Sequence, residues 1–159
     1  MSDLHLAVRK DNENGTRRVY GSLVGLVNRP SNESAGTVTE RTVTVGNEEK
    51  KVFNINLSLK INDYDTKKMK YFFGIDVEPN TYLPVRVSMW GIAGERLAKY
   101  APREHEPVEF YFSSGNPDTY KERMRLDITA FDFEPRGRKK GNKRDEAEKS
   151  HNYENDLPF

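Results

Sequence analysis

Val52-Phe53-Asn54-Ile55-Asn56-Leu57-Ser58-Leu59-Lys60-Ile61 alternates apolar and polar side chains almost without a break. Phe53, Ile55, Leu57 and Leu59 fall on one face; Asn54, Asn56, Ser58 and Lys60 fall on the other. A period of two predicts a β-strand with one side buried and one turned to water. The runs around it repeat the pattern. Val85, Val87 and Met89 point one way, while Tyr82, Arg86, Ser88 and Trp90 point the other. Val108, Phe110 and Phe112 share a side, and in the last run Met124, Leu126, Ile128 and Ala130 are expected inward.

Upstream, Val19 to Val27 reads as the first strand, interrupted by Gly21 and Gly25 as strands are where they bend. Thr37 to Val45 alternates Thr and Val with Glu and Arg and predicts an exposed hairpin arm turning at Gly46-Asn47. Asn62 to Asp65 reads as a loop and Met69 to Val77 as a further strand. Ser113 to Pro117 reads as a loop, and residues 1–15 as a polar lead-in. Ile92 to Tyr100 is the one helical pattern, stopped by Pro102. About five strands with one short helix between the third and fourth describe an all-β OB-fold, a five-stranded Greek-key barrel, here with hairpin insertions. The expected domain is residues 1–136. Residues 137–159, without an aliphatic side chain larger than Ala147 until Leu157, are expected to be a disordered linker and tip.

At 159 residues the chain fits one domain with a tail. Mean hydropathy is −0.88, and no apolar run approaches a membrane span. Cysteine is absent, which excludes disulfides, thiol chemistry and cysteine-based zinc sites, and a cytoplasmic location is the expectation. Net charge is +1, so any polyanion-binding face must be a local patch. The tail is segregated: Arg136 to Arg144 is basic, and Asp145 to Asp156 is mostly acidic. The basic run has three readings: a solvated linker, an auxiliary phosphate contact, or a fold-back partner for the acidic tip.

Three segments resemble the bacterial-type single-stranded DNA-binding protein family, including its phage and plasmid members. They are Val85 to Gly91 followed by Glu95 to Tyr100, then Leu126 to Arg136, and the closing Asp156-Leu157-Pro158-Phe159. The resemblance implies nonspecific single-stranded DNA binding during replication, recombination or repair. It also implies an acidic, Pro-Phe-ended tip that docks replication and repair proteins. The implied assembly is a homo-oligomer, a tetramer with a dimer left open. Segments 31–51 and 63–81 match no motif of the family.

Single strands are gripped by aromatic rings that stack on bases and by cations that follow phosphates. Tyr82, Arg86 and Trp90 place both devices on one strand. The alternative is that Trp90 plugs the barrel end or an oligomer interface. Tyr64, Lys67, Lys68, Lys70 and Tyr71 interleave the same residue types in what reads as an arm, with a purely solvated arm as the alternative. Tyr120 and Arg123 repeat the pattern between the last two strands, and Lys60 and Arg18 would complete a basic groove.

Catalysis is poorly supported. His5, His105 and His151 lack metal-ligand spacing, and no phosphate-binding glycine loop is present. Asp63, Asp65, Asp76 and Glu78 are read as turn residues. The chain is expected to be no enzyme and to need no cofactor or metal. Three rival functions remain: an OB-fold adaptor whose ligand is protein, an RNA chaperone, since stacking serves RNA equally, and, as a distant last, a phosphodiester hydrolase.

Overall fold

A computed structural model describes residues 4–11, 13, 17–30, 36–120 and 123–136. Within them the order is β1 (Leu4–Asp11), β2 (Arg17–Val27), β3 (Val38–Val45), β4 (Glu48–Ile61), α1 (Asp63–Phe73), β5 (Thr81–Trp90), α2 (Gly91–Tyr100), β6 (Pro107–Tyr120) and β7 (Arg123–Pro135). The predicted tail lies outside the described residues.

Five strands close a barrel in the order β2-β4-β5-β7-β6 and back to β2. Leu26↔Ser58 and Val27↔Leu57 make the closing pair, and β5 runs parallel to β7 while its other neighbour, β4, is antiparallel. That order, with α2 joining the third and fourth barrel strands, is the OB-fold. The alternation read from the sequence holds here: Ile55, Leu57, Leu59, Val85, Val87, Met89, Leu126 and Ile128 are buried together. α2 seats on the barrel through Gly94, where a Cβ would lie 2.3 Å from Phe53 and 2.7 Å from the Met89 carbonyl. The β3 arm pairs with the first half of β4 across Gly46, whose φ of 68° suits glycine.

Four local expectations are corrected. Residues 63–73 are a helix, not a loop leading into a strand. Asn62 accepts from the Asp65 amide, Asp65 reaches back to the Asn62 amide, and Gly74 ends the helix at φ 72°. Asp65, Met69 and Phe73, four residues apart, form its buried face. Ile92–Tyr100 is therefore not the sole helix. Leu4–Asp11 is a strand paired with β2, not a polar lead-in; Leu4, Leu6 and Val8 alternate in the sequence, and the pairing register shifts between Leu6 and Val8. β6 continues through Ser113 to Pro117, pairing with β7. Gly115 lies under α1, and a Cβ there would come within 2.7 Å of the Phe73 ring. Met124 is exposed rather than inward, since its part of the β6–β7 hairpin runs past the barrel core.

On the β6–β7 flank, Arg136 pairs with Glu109 and with Glu134, while Tyr111 donates to both carboxylates. Burial raises the Glu109 pKa, but hydrogen bonds from Arg136, Ser22 and Tyr111 outweigh it and hold the carboxyl below its ordinary value. Burial and those same two carboxylates push the Tyr111 phenol up to about 12.

Candidate nucleic-acid interface

The outward side chains of β4, β5 and β7 form one wall, and strand register sets its rows. Lys60 stands beside Tyr82, Asn56 beside Arg86 and Asp127, and Asn54 beside Ser88 and Thr129. Val52 stands beside Trp90. Trp90 is 40% exposed and Tyr82 54%, roughly 26 Å apart along β5 at the usual rise per residue. Neither ring pairs with another aromatic among the described residues. Lys60 Nζ lies 5.9 Å from the Tyr82 ring centre.

Asn54 organises the middle of the wall. It is 5% exposed, and its amide nitrogen donates to the Val87 carbonyl at 3.3 Å and to Ser88 Oγ at 2.8 Å. Its Oδ1 accepts from Arg41 of β3 at 3.3 Å and from Arg86 of β5 at 3.4 Å. Among the described residues neither arginine has a carboxylate within ion-pair distance. A neutral amide thus orients two guanidinium groups, while Asp127, beside Arg86 in the register, is engaged by Arg125. Arg125 differs: Asp118 at 2.7 Å and Asp127 at 2.8 Å hold it as a clamp between β6 and β7. Its pKa is raised, burial being outweighed by those two partners.

Of the sequence-predicted residues, this wall gathers Lys60, Tyr82, Arg86 and Trp90. Arg123, paired with Tyr120, lies toward the hairpin end of the same sheet. Tyr64, Lys67, Lys68 and Tyr71 lie elsewhere, on one face of α1, which packs on β1, β2, β4 and β6. Tyr64 is 71% and Tyr71 61% exposed. Lys68 donates to the Leu4 carbonyl at 2.8 Å and lies 5.8 Å from the Tyr64 ring centre, while Arg9 lies 5.2 Å from that of Tyr71. Lys70 is paired with Asp76 at 3.1 Å. Arg18 lies on β2 opposite Lys10, over the Tyr20 ring, and shares no wall with Lys60. The tip residues Asp156, Leu157, Pro158 and Phe159 lie outside the described residues.

Sequence reading missed Arg41, Asn54 and Phe131. Phe131 is 57% exposed, next along β7 from Ala130 as Trp90 is next along β5 from its partner Met89. The available signal was the three-residue step between Ala130 and Phe133, both inward, which a strict period of two forbids. Among the described residues no three His, Asp or Glu side chains converge as metal ligands, and no helix is long and apolar enough to cross a membrane.

No family model matches the chain, and no curated protein does. Among solved structures the chain is similar to a small single-stranded DNA-binding protein from Streptomyces coelicolor, at 14% identity and TM-score 0.42, covering 76% of this chain and 95% of that one. It is also similar to the OB domain of Ta0387 from Thermoplasma acidophilum, at 10% identity and TM-score 0.35, covering 74% and 76%. The OB-fold assignment rests on the strand order and the parallel β5–β7 pair rather than on these likenesses.

Proposed function

We propose that this protein binds single-stranded DNA without regard to sequence, through the β4–β5–β7 wall, and covers exposed strands during replication, recombination or repair. The observation that carries the reading is the Asn54 fork. Two arginines are oriented by a neutral acceptor, with the solvent-exposed rings of Trp90 and Tyr82 on either side along β5. The one carboxylate in Arg86's own row, Asp127, is taken by Arg125 instead. Rings that stack on any base and cations that meet any phosphate give grip without sequence readout.

In this reading Trp90 and Tyr82 stack on bases, while Arg86, Arg41 and Lys60 neutralise phosphates. The α1 rings Tyr64 and Tyr71, with Lys67, extend the surface for longer strands. Asp156-Leu157-Pro158-Phe159 is the proposed contact for replication and repair proteins, and several protomers acting together would multiply avidity.

A competition gel shift tests the reading. Labelled oligo(dT) should be displaced by unlabelled single strands and poorly by duplex of equal length. Equal displacement by duplex would refute it, and preferential displacement by matched RNA would reassign the ligand.

A further inference from the structure

We infer that Phe131 is the second ring of a two-base platform with Trp90, so that a bound strand crosses from β5 to β7 at this end of the wall. The inference rests on the function proposed above and adds a residue and a path to it.

On β7, Ala130 opposes Phe112 and Asp132 opposes Tyr111, so Phe131 has no partner on β6. It is the extra residue of a β-bulge, a device that re-aims a side chain. Before the bulge Leu126, Ile128 and Ala130 face the core; after it Phe133 does. The bulge therefore lets the strand keep both Ala130 and Phe133 inside while turning the ring between them outward. Phe, unlike Tyr or Trp, has no polar atom to gain from water, so an exposed ring in mid-sheet returns nothing to the folded chain itself.

The barrel's parallel pair ends one residue before both rings. Met89 is level with Ala130, and Trp90 and Phe131 follow as the next residues in the same direction. Adjacent strands lie about 4.8 Å apart, which keeps the two residues within reach of one bound polynucleotide. The two rings form no aromatic pair with each other or with any other described ring, and Phe131 at 57% and Trp90 at 40% exposure each leave ring surface for a base. Arg41 stands across Val52 from Trp90 in the backbone register and carries its guanidinium to Asn54 in the next row.

The test is anisotropy of fluorescein-labelled dT15 with the full chain, comparing Phe131→Ala and Trp90→Ala with the parent at several salt concentrations. Phe131→Ala should weaken binding roughly five- to hundred-fold, the range expected for a single base stack. The slope of affinity against salt should stay unchanged, because the ring carries no charge. Phe131→Tyr, which keeps the ring, should restore most of the affinity. If Trp90→Ala weakens binding while Phe131→Ala stays within two-fold of the parent, the platform is wrong and the wall reading stands. If the parent itself does not bind dT15, both fall. Matching thermal melts for parent and variants would exclude misfolding as the cause.

Discussion

Arg86 donates to the amide oxygen of Asn54 on the neighbouring strand at 3.4 Å, and Arg41 reaches that same oxygen from the other side at 3.3 Å. Asn54 is held in turn by its own donations to Val87 and Ser88. The side chain that sets the charge of the wall is thus one that carries none.

Replacing the amide by a carboxylate should therefore damage binding while leaving both arginines in place. In Asn54→Asp the new carboxylate would pair with Arg41 and Arg86 and withdraw them from phosphate. Affinity for oligo(dT) should fall about tenfold or more, and the slope of log affinity against log salt should shrink by roughly 0.7 for each phosphate no longer neutralised. Titrations at four salt concentrations measure both quantities. An unchanged slope would mean that these arginines do not meet phosphate.

The capping box gives a test of α1 that does not depend on function. Asn62→Ala removes the acceptor for the Asp65 amide and should cost about 1 kcal/mol in urea unfolding. Had residues 62–65 been a solvent-exposed loop, the same change would have been close to neutral.

Much of the barrel was legible because its strands are half-buried, and a half-buried strand writes its faces into alternate residues. Val52–Ile61 and Val85–Met89 were read correctly for that reason. Failures came where tertiary contacts overrode the local pattern. Met69 to Val77 alternates well enough to pass for a strand, yet Asn62 and Gly74 cap its first half as a helix over the barrel. Gly115 looked like a loop residue, whereas it marks where Phe73 of α1 presses on β6. On the wall, Trp90 and Arg86 stood out by type and parity. Asn54 did not, since its type and outward parity carry no mark of the arginines it holds, one of them from β3. Phe131 was hidden by the bulge that exposes it.

The β6–β7 flank predicts two limits to stability with pH. Glu109 has a lowered pKa when folded, so its contribution is present above its ordinary value of 4.5 and lost as pH falls through the lowered one. Tyr111 has a raised pKa, so its contribution is present below 10 and lost as pH rises toward about 12. Urea midpoints measured across this range should drop at both ends. Glu109→Gln should flatten the acid limb, and an acid limb unchanged in that variant would place its origin elsewhere.

Trp90 is the single tryptophan, so its emission reports on the wall alone. The decisive experiment is a titration of the full chain with oligo(dT) at several salt concentrations while following that emission. Stacking on the indole should quench the signal strongly and saturably, with affinity falling as salt rises. Saturable binding seen by an independent probe, with the emission of Trp90 unmoved, would contradict the account, because the strand would then lie on some other surface.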